Sequence, residues 1–467
     1  MLNLKQEDIK GIEAKHITYV EHQEGKKEDL HLVKEVIHLK DGSRVTRVKP
    51  WYNYKRNFWV TAPGRRTHKE KKDYEYESNC IKYSTTQIEM PRAIQKVLGD
   101  YSLGPNPRLR HLARSPYLYG SDISSSSCLK YDYQQRYPGL VSLNTVAGGD
   151  IETNVIDRDK DGQIICMSVT HKQHAFLCYL KDWVKDIPDP IKATHEKLEQ
   201  IPEAKALKDS RKFTLEVMVV DLPSQIVIEC VRRLHKWQPD FFSFWNIDFD
   251  LPKMIRALES DGVDPAVVFS DPSVPKEYRY FHYKRGQDMM TTASGVSKSK
   301  GPEEQWHWVT APASFQCIDA MSTYYNVRRA KGHESSYRLE YILQKEIKVG
   351  KLNIPEAEHL DGIEWHRFMQ KHYKIEYGIY NVIDSMRLEQ FDEKTNDLAL
   401  SVTMFSKTSD YGNFSSNPRR LCDDMHFWYL NRDPACVIAS SSDKMVSDID
   451  QWVIGHGSWI NKGPLTK

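Results

Sequence analysis

The chain has 467 residues and carries 66 lysines and arginines against 64 aspartates and glutamates, a formal net charge of +2. That length exceeds one ordinary core and predicts two to four domains. The balanced charge excludes a polycation that holds nucleic acid by total charge, so any such binding must use local patches.

No apolar run is long enough to span a bilayer, and Met1–Asp8 lacks the apolar core of a signal peptide. The eight cysteines are scattered without a Cys-x-x-Cys pair. This argues against a zinc knuckle or a disulfide framework and fits a reducing cytosol. Residues 1–140 read as a mixed α/β domain with many turns. Val36–Gly42 predicts a strand entering an Asp-Gly hairpin. Lys49–Lys72 holds eight basic residues against Glu70, interleaved at its start with Trp51, Tyr52, Tyr54, Phe58 and Trp59. Bases beside stacking faces suit single-stranded nucleic acid. A twisted strand pair with aromatics inside and bases in water explains the pattern equally well. Thr86–Leu98 predicts a short helix closed by Gly104–Pro107, and Ser124–Ser127 reads as a polar loop.

From Leu140 the character changes. Asp150–Thr153, Gln163–Val169 and Ala175–Leu180 predict three adjacent strands joined by turns. Gln225–Trp237 has apolar residues at 227, 230, 231 and 234, the stripe of an amphipathic helix. Phe241–Trp245 reads as a buried strand, and Leu251–Ser260 as a helix with Pro252 in its first turn. This alternation predicts an α/β layered domain. Residues 278–309 predict a long β-hairpin with a mobile, Ser-, Gly- and Lys-rich tip at Thr291–Pro302. Phe315–Ala320 returns to a buried strand. A helix is expected to begin after Gly378 and carry Tyr380 and Asp384, with 398–430 mostly helical.

The chemistry concentrates in three islands. Asp150 and Glu152 are i and i+2, so on a strand they share a face. Two buried carboxylates on one face repel unless a cation lies between them, and oxygen ligands suit Mg²⁺ or Mn²⁺. An exposed edge strand with two solvated acids explains the pair as well. Asp250 follows a buried strand, where ligands of open α/β sheets bind, but it could equally cap the helix at Leu251–Pro252. Asp248 is the alternative capping or solvated residue. Tyr380 and Asp384 are i and i+4, neighbours on a helix face, where a hydroxyl could orient water or make an ordinary surface hydrogen bond. Two decoys are set aside. Asp157–Gly162 begins like a calcium loop but has Ser168 at the twelfth position, so it reads as a turn. His171 and His174 read as surface histidines.

Taken in order, Asp150-Ile-Glu-Thr, Asn246-Ile-Asp-Phe-Asp250 and Tyr380-Asn-Val-Ile-Asp384 resemble the Exo I, Exo II and Exo III motifs of the DEDDy 3′→5′ exonucleases, specifically those of family B DNA polymerases. Ile318-Asp319, Glu334–Ile342 and Val349–Leu352 are similar to the stretch before Exo III in phage polymerases. The 278–309 hairpin is placed like the family's strand-switching hairpin, and Tyr117–Ser124 like the approach to the exonuclease domain. The likeness covers about three-quarters of the chain and is strongest from 141 to 390. The spacing from Asn246 to Asp250 follows the protein-primed polymerases. Nothing matches the motifs of the polymerase half.

The resemblance implies a ribonuclease H-like exonuclease domain at 141–395, preceded by the family's N-terminal domain at 1–140 and followed by a helical linker at 396–467 towards an absent palm. It implies two Mg²⁺ or Mn²⁺ ions roughly 3.5–4 Å apart. Asp150 would bridge them, Glu152 and Asp384 would complete one and Asp250 would hold the other. Tyr380 would position the hydrolytic water, and Thr153, Asn246 and Phe249 would contact the single-stranded 3′ end. The partners implied are single-stranded and primer-template DNA, a chain bearing palm, fingers and thumb, and optionally a sliding clamp. The expected setting is a viral protein in the host cytoplasm, either one chain of a split polymerase or a polymerase cut at this point. The rivals are a free-standing exonuclease of repair or RNA processing and a non-catalytic subunit that docks the polymerase chain. The hairpin and N-terminal segment argue against the first, the intact acids against the second.

Overall fold

The computed structural model describes residues 5–20, 28–72, 74–121, 123–291, 294–350, 352, 354–360, 362–400, 426–428, 430–432 and 435–438. The fold is mixed α/β, and the chain forms two compact units. The first is Met1–Ser142, Ser273–Tyr278 and Val402–Lys467, and the second is Leu143–Pro272 and Arg279–Ser401. The predicted linker at 396–467 and the helical reading of 398–430 lie mostly outside the described residues. Among the described residues no helix is long and apolar enough to cross a membrane.

In the first unit, β1 (Ile9–Val20), β2 (Leu30–Leu39) and β3 (Arg44–Tyr52) form an antiparallel sheet in that order. The predicted hairpin forms: Gly42 takes φ +86°, and Asp41 Oδ1 accepts the Ser43 amide at 2.8 Å. Next come β4 (Lys55–Thr61), β5 (Tyr74–Tyr76), β6 (Cys80–Thr86), α1 (Met90–Leu98), α2 (Leu109–Leu112), β7 (Leu118–Tyr119) and α3 (Ser125–Arg136). A second sheet has the order β6-β4-β7, and β5 pairs antiparallel with Cys436–Ile438. The two strands of the basic segment, β3 and β4, therefore belong to different sheets. Tyr54, Phe58 and Trp59 are buried, and so is Arg56, which donates to the Gly120 and Ser121 carbonyls. For these aromatics the core reading holds. The serine run is not a loop. Ser124 precedes the first turn of α3, and Ser125 Oγ lies 2.9 Å from His31 Nε2 in the interior.

The second unit is built on a six-stranded sheet. Its elements are β8 (Val146–Thr153), β9 (Ile164–His171), β10 (His174–Leu180), α4 (Pro190–Gln200), α5 (Pro202–Arg211), β11 (Thr214–Val220), α6 (Pro223–Trp237), β12 (Phe241–Phe244), α7 (Ile247–Ser260) and α8 (Pro265–Phe269). They continue with β13 (His282–Lys284), β14 (Met289–Thr291), β15 (Ser297–Ser299), β16 (Trp308–Thr310), β17 (Gln316–Asp319), α9 (Ala320–Arg328), α10 (Leu339–Ile347), α11 (Gly362–His372), α12 (Lys374–Thr395) and α13 (Asp397–Leu400). The order is β11-β10-β9-β8-β12-β17. β8, β9 and β10 are an antiparallel meander, as their turn-separated apolar runs predict. β11 runs parallel to β10, β12 parallel to β8, and β17 parallel to β12. The hairpin is two short ladders, β13 with β16 and β14 with β15. Its first strand begins at His282 rather than Tyr278, which ends a 3₁₀ turn.

Helix α12 packs on β8 and β9 and is buried nearly throughout. It starts at Lys374, so Gly378 lies inside it rather than before it. The glycine is there for close approach: a Cβ on Gly378 would stand 2.0 Å from the Tyr179 hydroxyl. Gly148 does the same from the sheet side, because its Cβ would stand 1.9 Å from the Ser385 carbonyl oxygen. Side chains on a strand alternate, so Gly148, Asp150 and Glu152 face α12 together. Ser168 Oγ adds bonds to the Asn381 carbonyl at 3.0 Å and to Ser385 Oγ at 2.8 Å. His171, expected at the surface, is buried with Nδ1 3.1 Å from the Val146 carbonyl; His174 is exposed and stacks on Trp237.

Candidate active site

Four acids and a tyrosine meet where β8, α7 and α12 converge. Asp150 is half-buried, whereas Glu152, Asp250, Tyr380 and Asp384 are buried. The stripe of α12 that faces β8 carries Tyr377, Tyr380, Asn381 and Asp384, the i, i+3, i+4, i+7 set of one helix face. Asn381 Nδ2 donates to Asp150 Oδ2 at 2.7 Å, and the Tyr377 hydroxyl donates to Glu152 Oε2. His366 Nδ1 stands 2.7 Å from the Tyr377 hydroxyl and 3.8 Å from Glu152 Oε2. Gln370 holds the same corner. Its Nε2 donates to the Thr153 carbonyl at 2.8 Å, and its Oε1 accepts the Val155 amide at 3.1 Å.

Asp250 does not cap a helix. α7 begins four residues earlier than predicted, at Ile247, with Asn246 in the N-cap position and Pro252 inside the helix. The start is set from β17: Asp319 Oδ2 accepts the Ile247 amide at 2.9 Å while its Oδ1 caps α9 through Ser322 N at 2.7 Å. Burial pushes the Asp319 carboxyl up to about 7. Asp248 is neither a cap nor a solvated acid. It accepts from Tyr283 at 2.6 Å and from Arg285 at 2.9 and 2.6 Å, tying α7 to β13. Asp250 is thus free to face the acids. Burial and then the Asp150 charge push its carboxyl well above the usual carboxylate range, with Glu152 adding to the effect. Its Oδ1 is buried with no hydrogen-bond donor.

Tyr380 is hydrogen-bonded to Asp384. Burial, then the charges of Asp384, Glu152 and Asp150, hold its hydroxyl protonated far above the ordinary phenol range. It is therefore a donor, not a base. Trp365 packs on it with ring centroids 4.9 Å apart. The cation closest in effect to the acids is Lys253, one turn after Phe249. Its ammonium stands 2.7 Å from the Phe249 ring centroid, and burial pulls it down to about 8 against the opposing charges of Asp250 and Glu152. Of the residues assigned to a 3′ end, Phe249 is 51% exposed and available for stacking. Asn246 is half-buried at the head of α7, and Thr153 is buried with its carbonyl occupied by Gln370.

Among the described residues no three His, Cys, Asp or Glu side chains are gathered in metal-ligating geometry. The residues nevertheless fit a divalent cation in kind. They offer oxygen donors only, an excess of negative charge in a buried place, and an orphaned Asp250 oxygen. Sequence reasoning missed Tyr377, Asn381, Gln370, His366 and Lys253. The chain matches no protein-family model and no curated protein.

Two expected results follow from this arrangement. First, because the raised Asp250 carboxyl favours the proton in the folded state, metal-free protein should lose stability as pH rises from the usual carboxylate range through that raised value. Asp250→Asn should remove this part of the slope. In EDTA it should leave the variant about 1–3 kcal/mol more stable than the parent at pH 8, with the gap closing towards pH 4. Thermal melts across pH check it, and added Mn²⁺ should stabilise the parent far more than the variant. Second, Tyr377→Phe removes the Glu152 donor while leaving the ring packing. Partners of metal ligands are worth about 10–100-fold in metal affinity, so calorimetric titration with Mn²⁺ should show a weakening of about tenfold. Unchanged affinity would mean that Tyr377 only packs.

Proposed function

We propose that the second unit is a DEDDy-type 3′→5′ exonuclease, the proofreading module of a family B DNA polymerase, acting on single-stranded 3′ ends with Mg²⁺ or Mn²⁺. The observation that carries this reading is the convergence of Asp150, Glu152, Asp250 and Asp384 with a protonated Tyr380 on one face of the β8–α12 junction. The strand order supports it. β10-β9-β8-β12-β17 is a meander of three antiparallel strands followed by two strands parallel to the first, the arrangement expected of a ribonuclease H-like sheet, with β11 added at one edge. The double ladder of β13–β16 and β14–β15 supports the polymerase-like assignment.

On this reading the four carboxylates hold the cations, which when bound supply Lewis-acid stabilisation of charge on the scissile phosphate. The protein's own groups do the rest. The Tyr380 hydroxyl, its proton given to Asp384, accepts a hydrogen bond from the attacking water and so orients it beside Asp384. Lys253 and the exposed face of Phe249 lie where the terminal nucleotide would stack and its phosphate be neutralised. Tyr377, Gln370 and Asn381 fix the angles of Glu152 and Asp150. Primer-template DNA, a palm-bearing chain and a sliding clamp are the partners this assignment proposes.

The test is a 5′-labelled single-stranded oligonucleotide with Mg²⁺. A ladder shortening one nucleotide at a time from the 3′ end supports the reading. Absence of shortening with either metal, with and without a polymerase chain that co-elutes with this one, overturns it.

A further inference from the structure

Lys253 is half-buried in the middle of α7. It follows Phe249 by four residues and Asp250 by three, the spacings at which side chains on a helix meet. Its flexible stem could carry the ammonium out to water or onto the Asp250 carboxylate. It does neither. The ammonium lies over the Phe249 ring, 2.7 Å from the centroid, and makes no ion pair among the described residues. Asp250 and Glu152 act on it from the acid cluster, and the exposed Arg256 and Asp161 from the solvent side.

This charge does not serve stability. Burial outweighs the pull of the acids and draws the ammonium down to about 8, so at neutral pH the charged form favours the unfolded chain. Asp250 Oδ1, meanwhile, is buried without a donor. The ring holds the ammonium only loosely, because Phe249 is 51% exposed and a cation over a wet ring gains little. A phosphate offers the same ammonium charge-assisted hydrogen bonds, which are stronger. A lysine kept charged against the interest of the fold, loosely held, beside an acid left without a donor, is placed to be exchanged.

We propose that Lys253 is a tethered cation that couples metal loading to the arrival of a nucleotide. In the free protein its ammonium supplies part of the positive charge that the acids attract, and so opposes a divalent ion at Asp250. When a terminal nucleotide settles at Phe249, its phosphate draws the ammonium off the ring and neutralises it. The acids, relieved of that competitor, hold the ion more tightly. The effect is large for one charge because the place is half-buried, where the effective dielectric constant is about 20 rather than about 80. Coupling is reciprocal, so the ion tightens the nucleotide by the same factor. This role rests on the reading of the acids as a cation site and does not require that they cut anything.

Calorimetric titration of the whole chain with Mn²⁺ at neutral pH, with and without millimolar thymidine 5′-monophosphate, tests this. Lys253→Met keeps the apolar stem and removes the charge. It should bind Mn²⁺ alone about three- to tenfold tighter than the parent. The nucleotide should tighten Mn²⁺ about tenfold in the parent and about threefold or less in Lys253→Met, where only direct contact between ion and phosphate is left. Lys253→Arg, which keeps the charge, should follow the parent. Tighter binding is the reverse of what a damaged site gives, so this pattern separates a working charge from a packing residue. Unchanged or weaker Mn²⁺ binding by Lys253→Met, the same gain from the nucleotide in both proteins, or no gain in either overturns the proposal while the cation site stands. Mn²⁺ bound by none of the three proteins removes the cation site, and the proposal with it.

Discussion

Asp150→Ala should abolish 3′-end shortening while leaving the protein as stable as its parent or more so. If Asp150 holds both cations, its loss removes several kcal/mol of transition-state stabilisation. At 1.36 kcal/mol per decade this is on the order of 10³–10⁴ in rate. The fold should not suffer. Asp150 is half-buried, and its charge is the largest cause after burial of the raised Asp250 carboxyl. Deleting it relieves repulsion inside the cluster and gives up the hydrogen bond from Asn381. A rate assay paired with a melt in EDTA therefore separates two accounts. Lost shortening with an unchanged or higher melting temperature fits a site acid. A rate within tenfold of the parent removes Asp150 from catalysis, and a sharply lower melting temperature makes it a structural residue instead.

The acids were legible in the sequence because their spacing is local. Asp150 and Glu152 share a strand face by period two, and Tyr380 and Asp384 share a helix face by period four, whatever the rest of the chain does. Their companions were not legible, because each is defined by a partner far away. Asn381 reaches Asp150 across 231 positions and Tyr377 reaches Glu152 across 225. Nothing near Tyr377 distinguishes it from Tyr380 before the helix is laid on the sheet. The errors of boundary have the same origin. Pro252 reads as a helix start because proline suits the first turn. Here Asp319, from a strand 72 positions on, anchors the helix at Ile247. Gly378 reads as a break because glycine lowers helix propensity, but its missing side chain is what lets Tyr179 in. The α/β layering and the β8–β9–β10 meander were legible, since buried runs separated by turn residues need no long-range information. The edge position of β11 was not.

Gly148→Ala should be the most damaging single substitution in the second unit. The added methyl would sit 1.9 Å from the Ser385 carbonyl oxygen and 2.7 Å from its carbonyl carbon. These are backbone atoms of a buried helix, so no rotamer change relieves the overlap and α12 must lift away from β8. Overpacking of this kind costs about 3 kcal/mol or more, roughly 6–12 °C in melting temperature for a unit of this size. The consequence reaches the site, because the same stretch of α12 carries Tyr377, Tyr380, Asn381 and Asp384. Mn²⁺ affinity should therefore fall together with stability, unlike in Asp150→Ala, where ligand loss comes without unfolding. The companion substitution Ser385→Gly distinguishes backbone from side-chain overlap. It removes the hydroxyl but leaves the carbonyl in place, so the double variant should melt no higher than Gly148→Ala alone. Recovery in the double variant would show that the helix meets the strand through its side chains, and that the glycine in β8 serves another purpose than close approach.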